Sequence, residues 1–329
     1  MTVEIKTQGV KPIRNAYAHL EARFGNKAAT RYQEIAYDTQ STTNFHYKPL
    51  WDPGRDLYDV GRTAVVMKDW YDFKDPRQYY YGSYTTTRAK QQDALDRQLD
   101  FVGKRDLLRL LPETARAQII ANLVPLRHYE WGANMNNCHI SAYGYGTAIT
   151  QAASMATMDR LGMAQHLSRI GLLTDGNSGE ALDEGKRQWT DEAPWQGVRR
   201  EMENMFVTHD YFELLVAQDL VADSLVYPLF YEQFESRFAA EHGSALSSLT
   251  DYLMRWHQET NRWVDACIKT AVSESPANQA LIAGWIDKWR SAWNQALQPI
   301  AVSALGTDAD ASLAAVNEVF DARLKKLRV

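Results

Sequence analysis

From about residue 84 to the end, apolar positions return with the three- and four-residue step of an α-helix, and before residue 84 they do not. Leu95, Leu99 and Val102 mark one amphipathic helix, and Leu111-Pro112-Glu113 starts a second that carries Ile119, Ile120 and Leu123. Pro125 kinks or restarts that helix. The stretch from Pro125 to Ile170 is then proline-free after its first residue and helix-compatible, with Met155, Met158, Leu161, Ala164 and Leu167 spaced to form one stripe facing a partner helix, and Gly171 closing it. Gly144 and Gly146 within it make either a turn between antiparallel helices or a close helix contact. Pro194 opens the next long run, which has a buried face at Phe212, Leu215, Val216, Leu220 and 225–231, an interruption at Pro228 and an end at Gly243. Ser244 is placed to cap a helix through Leu249, Leu253, Trp256, Trp263 and Cys267. Ser275-Pro276 starts another, with Ile282, Trp285, Ile286, Trp289 and Trp293, and Asp308 or Asp310 caps the last. The basic run at 323–328 suits a helix C-terminus. The sum is an all-α bundle, residues 84–329, with two pairs of long helices at 112–170 and 194–272 and accessory C-terminal helices.

Residues 1–83 carry short helical segments near Asn15–Glu21 and Thr30–Tyr37. Beyond them the text is broken by Pro49, Pro53, Gly54, Gly61 and Pro76 and holds dense aromatics with no period. Such aromatics are the wrong composition for a solvated tail. An extended arm fits, either laid on a partner subunit, the preferred reading, or folded on its own bundle. The candidates for subunit contact are Phe45, Tyr47, Trp51, Trp70, Tyr71, Tyr79, Tyr80 and Tyr81.

Composition narrows the function. The 36 basic and 41 acidic side chains give a net charge of −5, which leaves no electrostatic motive for binding nucleic acid. Cys138 and Cys267 have no CxxC or Cys/His spacing, the usage of a reduced cytoplasmic protein. The N-terminal segment has no apolar signal region, and no uncharged apolar run reaches the roughly 18 residues that cross a bilayer.

Long helices bearing Glu and His raise the question of a carboxylate-bridged di-iron site, which needs Glu-x-x-His so that both ligands share a helix face. The histidines are His19, His46, His128, His139, His166, His209, His242 and His257, and no Glu or Asp stands three residues before any of them. Glu130 reads as a satisfied buried carboxylate or as a charge pointing out beside Arg127. His209 and Glu213 have i, i+4 spacing, a helix-surface pair rather than half a metal site. An alternative keeps an unusual metal or haem ligand set among His128, Glu130, His166 and His209, which would make the chain an enzyme in its own right. A third reading is an independent helical binding module. No GxGxxG, Walker A or GxSxG sequence occurs.

Several strings in combination resemble the β subunits of bacterial multicomponent phenol hydroxylases, in the methane, toluene and phenol monooxygenase family. They are ATRYQE at 29–34, TNFHYKPLWD at 43–52, DPRQYYYG at 75–82, RAK at 88–90, LVPLRHYEWGANMNN at 123–137, MDRLGMAQHLSRI at 158–170, DGNSGEALDE at 175–184 and WIDKW at 285–289. The resemblance implies a ferritin-like fold and a place in an α2β2γ2 hydroxylase whose related α subunit holds the di-iron centre. It further implies a reductase carrying FAD and an iron-sulfur cluster that draws electrons from NADH, and a small regulatory protein. In this family β keeps the shape of α without its ligands: MDRLG at 158–162 stands where α carries its first Glu-x-x-His, with Asp159 and Gly162 in the ligand places. The resemblance thus implies a non-catalytic subunit with no cofactor of its own.

Overall fold

The computed structural model describes residues 16–40 and 48–329, and among them every regular element is a helix. Two short helices, α1 (Ala18–Phe24) and α2 (Arg31–Ala36), precede single 3₁₀ turns at Val60–Arg62 and Trp70–Asp72. Then come α3 (Tyr81–Gly103), α4 (Glu113–Asn122), α5 (Leu126–Tyr143), α6 (Thr147–Asp175), α7 (Glu180–Asp191) and α8 (Ala193–Phe206). The continuous α9 (Tyr211–His242), α10 (Ser247–Glu274), α11 (Pro276–Leu305) and α12 (Ala309–Leu327) complete the chain. Helices α5, α6, α9 and α10 enclose the centre. Helix α11 packs on α8 and α9, and α12 lies against α9 and α11. The N-terminal segments and these helices share one core.

Most starts follow the local sequence. Pro125 restarts the chain as α5, and Ser275 Oγ accepts the Asn278 N–H at 3.1 Å ahead of α11. Four expectations fail. Gly171 does not end α6: a Cβ there would stand 3.1 Å from Leu182 and 3.2 Å from Val124, so this glycine admits neighbours, and Gly176, at φ 73°, closes the helix. Met158 and Leu161 face outward, while Ala152, Ala156, Met163, Leu167 and Ile170 make the buried face. Pro228 does not interrupt α9: the helix runs through it, the Leu229 N–H donating to the Leu225 carbonyl, and goes on into a π-type turn at Leu229–Phe234. The real break is at 207–210, where Asp210 caps the start of α9 by accepting from Phe212 and Glu213 at 2.9 and 3.0 Å. Nor does the Ser244 side chain cap α10, whose first residue is Ser247. By length and composition α9 could cross a membrane, yet its apolar window is wholly buried inside the bundle, as in a core helix.

The described part of the arm packs on its own bundle, the second of the two readings, and leaves Trp51 and Tyr81 exposed. Tyr32, Val65, Trp70 and Phe73 are buried in the common core, with Trp70 beside Tyr211 and Phe73 beside Phe212. Its backbone is tied as well: Ala64 N–H donates to Asp210 Oδ2 at 2.7 Å and Val66 N–H to Asn278 Oδ1 at 3.1 Å. The physical reason is supply of acceptors and apolar surface. Asp210 and Asn278 offer the non-helical backbone partners that it cannot find within itself.

Candidate functional site

At the centre of the four enclosing helices lies a charged cluster with no exposure to solvent. The Arg160 guanidinium, from α6, meets Glu130 Oε2 of α5 at 3.0 Å and Asp219 Oδ1 of α9 at 3.2 Å, and also bonds Asp223 Oδ2 of α9. Buried charges persist only where they are paired and hydrogen-bonded. The remaining lone pairs are served accordingly: Tyr227 OH donates to Glu130 Oε1 and Tyr129 OH to Asp223 Oδ1, each at 2.6 Å. Gln218 Nε2 donates to Asp223 Oδ1 at 3.1 Å, Asn137 Nδ2 to Asp219 Oδ1 at 3.1 Å, and Asn136 Nδ2 to Gln218 Oε1 at 2.9 Å. The Trp256 ring of α10 covers the guanidinium at 4.6 Å, and His257 stacks on Tyr227 at 4.9 Å. A π-type turn over Val216–Ala222 sets the register of α9, since the Asp223 N–H donates to the Gln218 carbonyl, five residues back. That wider turn aims Gln218, Asp219 and Asp223 at the same point.

Charge in this cluster is unbalanced, three carboxylates facing one guanidinium. Burial pushes Glu130 up to about 7, Asp223 adding its repulsion and Arg160 opposing both. Burial likewise raises Asp219 to about 7, with Arg160 again opposing and Asp223 again adding. Burial alone would lower Arg160, but Asp223, Tyr227, Glu130 and Asp219 outweigh it and hold the guanidinium charged. Burial and mutual repulsion thus push these carboxyls toward the protonated form, against the pull of Arg160.

A di-iron ion pair does not fit these residues as they stand. The point on which the carboxylates converge is filled by a cation that belongs to the chain, and among the described residues no group of three or more His, Cys, Asp or Glu is spaced to hold a metal. Asp159, in the MDRLG string, does not join this cluster. It takes a two-pronged bond from Arg88 at 2.8 and 2.7 Å, and bonds from Trp256 Nε1 and Tyr84 OH at 2.8 Å each. Gly162 stands at the surface, and Arg160 is the residue that enters the core.

The alternative ligand set does not assemble. Glu130 belongs to the cluster, and of its two sequence readings the satisfied buried carboxylate holds. His128 stacks on Trp189, and His166 Nε2 donates to the Leu249 carbonyl at 2.7 Å. Burial pulls both imidazoles down to about 4. His209 lies in the loop before α9 rather than on it, so its spacing to Glu213 has no helical meaning. Glu213 accepts instead from Lys288 at 2.7 Å and Trp289 at 3.0 Å.

Of the aromatic contact candidates, Trp70 and Tyr79 are buried within this chain, Tyr71 and Tyr80 are half-buried, and Trp51 and Tyr81 are 60% and 77% exposed. Phe45 and Tyr47 lie outside the described residues. A stronger exposed patch went unseen in the sequence. Trp131 and Met135 of α5 and Met158 and Leu161 of α6 are each about half exposed, on adjacent helices joined where Asn134 Nδ2 meets the Thr157 carbonyl at 2.7 Å. An apolar groove lined by Trp131, Met135, Cys138, Tyr143 and Phe206 continues it.

The Methane/Phenol/Alkene Hydroxylase family model matches residues 51–275. The oxygenase component DmpL of phenol 2-monooxygenase from Pseudomonas sp. (strain CF600) is 47% identical over 327 residues, 99% of this chain and 98% of that protein. The hydroxylase component subunit beta of the toluene-4-monooxygenase system from Ectopseudomonas mendocina is 25% identical, covering 91% of this chain and 92% of its own length. Among solved structures, phenol hydroxylase from Pseudomonas sp. OX1 matches with a TM-score of 0.91 and 43% identity, over 99% of this chain and 98% of the matched one.

Proposed function

Because this chain belongs to the methane/phenol/alkene hydroxylase family, we propose that it is the non-catalytic β subunit of a multicomponent hydroxylase that inserts oxygen into phenol or a related aromatic compound. The observation that carries the reading is Arg160, whose guanidinium occupies the convergence point of Glu130, Asp219 and Asp223. With that place taken by a fixed cation, the bundle is left to shape and contact. The di-iron centre then sits in a related α subunit, completed by a γ subunit as α2β2γ2, and a regulatory protein and an NADH-dependent reductase serve the assembly in the cytoplasm. The half-exposed strip of Trp131, Met135, Met158 and Leu161 supports an extensive apolar contact with the α subunit, and Trp51 and Tyr81 extend it from the arm.

The test is to purify this chain alone and with its co-expressed hydroxylase partners. Alone it is expected to hold no stoichiometric iron and to leave phenol unchanged when reductase, NADH and O2 are supplied, whereas the assembly oxidises it. Trp131→Glu with Leu161→Glu is expected to keep the helical circular dichroism and abolish co-purification with the larger subunit. Iron at one or more equivalents in the isolated chain, with phenol turnover, overturns the reading.

A further inference from the structure

The cluster has more acceptors than the guanidinium and its neighbours satisfy. Asp219 Oδ2 and Asn137 Oδ1 are buried and have no hydrogen-bond partner, although the Asn137 amide nitrogen is bonded to the other oxygen of the same carboxylate. Arg160 Nε likewise meets no acceptor, so the guanidinium serves the three carboxylates through its two terminal nitrogens only. An unsatisfied buried acceptor costs free energy that an apolar substitution would have avoided. Three carboxylates, one of them with an orphaned oxygen, facing one monovalent cation exceed their occupant in charge and in acceptor number.

We infer that the centre of this bundle is a cation site that the chain fills with its own Arg160, and that Glu130, Asp219, Asp223 and the Asn137 amide oxygen take up one hard divalent cation once that side chain is cut back. All the donors are oxygen, which suits Mn2+, Mg2+ or Ca2+ over softer, thiolate- or imidazole-seeking ions. At present the guanidinium lies between the carboxylates. A truncated side chain leaves room for water to complete the shell. The nearest other charged groups do not compete: Arg323 is bonded to Asp265 Oδ1 at 2.8 Å and to Ser224 Oγ, and His257 is stacked on Tyr227. The inference shares the Arg160 geometry with the proposed function but fails separately, because absence of metal from the variant would overturn the inference and leave the function standing.

The experiment uses the full-length chain and Mn2+ as probe, with bound ion counted by equilibrium dialysis and by loss of the free-ion electron spin resonance signal. Arg160→Ala is expected to bind one Mn2+ per chain and to melt several degrees higher with Mn2+ than without, while the natural chain shows neither effect. Adding Glu130→Gln and Asp219→Asn to Arg160→Ala is expected to weaken binding at least about tenfold, as loss of coordinating groups does. Arg160→Lys, which keeps a cation in place, is expected to fold and to bind none. A folded Arg160→Ala without Mn2+, equal uptake by the triple variant, or uptake by Arg160→Lys overturns the inference. So does an Arg160→Ala chain that stays unfolded both with and without the ion, since a competent site would rescue it.

Discussion

Glu130 is held near 7 in the fold against an ordinary 4.5, so the folded chain keeps this proton more tightly than the unfolded one. The stability it contributes is therefore complete below about 4.5 and is lost as pH rises through about 7. His128 and His166 act the other way: drawn down to about 4 by burial, they favour the fold above 6.5 and lose that contribution as pH falls toward 4. The curve for the natural chain mixes both slopes, and Glu130→Gln separates them, because glutamine imitates the protonated acid at every pH. The stability advantage of the natural chain over Glu130→Gln should shrink by up to about 3 kcal/mol between pH 4.5 and 7 and stay level above, measured by urea unfolding across that range. A difference that does not vary with pH would mean that Glu130 is ionised throughout. Residues of this kind were half legible. Asp219 and Asp223 stand four apart in the otherwise apolar LLVAQDLVADSLVYPLF, and two acids in such a run demand a buried cation. Which cation answers them depends on the rotation of α6, and one residue of register separates Arg160 from Asp159.

Helices in this bundle come close where glycine permits it, and two glycines with opposite surroundings make the point testable. Gly197 of α8 faces the backbone of α11: a Cβ there would stand 2.8 Å from Ala296 Cα and 2.9 Å from its carbonyl oxygen. Backbone atoms cannot rotate away, so Gly197→Ala should destabilise by about 2 kcal/mol through overpacking, although alanine is the better helix former. Gly284, exposed on α11, has nothing within 4 Å of such a Cβ, and Gly284→Ala should gain up to about 1 kcal/mol. Thermal unfolding of the two variants checks both signs, and equal effects would show that the α8–α11 contact gives way. At this scale the sequence is most legible where a boundary is local. Pro125 and Ser275 mark true starts because each acts on its own turn. Gly171 and Pro228 mislead because their meaning is set by neighbours far away in the chain. Gly171 receives Val124 and Leu182, and Pro228 is buried in a helix whose surroundings hold it on both sides of the proline.

At the scale of the whole molecule, helical periodicity was enough to set the fold class, because each stripe needs an apolar partner and only a bundle supplies them together. Where the arm goes was not legible, since residues without a period carry no sign of the surface that covers them. The structure lays it on α3, α6, α9 and α10 through a charged clasp. Arg77 grips Asp75 at 2.9 and 3.0 Å, Tyr79 OH donates to Glu259 of α10 at 2.9 Å, and Arg88 of α3 joins Glu259 to Asp159 of α6. Beneath it Trp70 and Phe73 cover Tyr211 and Phe212, each burial contributing on the order of 2 kcal/mol. Removing residues 1–79 should thus do more than detach a partner. It exposes Tyr211, Phe212 and Trp263 and leaves Glu259 without Tyr79 and Arg77. The expected product retains most of its far-ultraviolet helical signal but binds a hydrophobic dye, loses near-ultraviolet ellipticity and melts over a broad range, the signs of a bundle that has kept its helices and lost fixed packing. A truncated chain that melts as sharply as the full one would show that the arm only rests on a core already complete. The exposed aromatics of the arm would then have contact with another subunit as their remaining role.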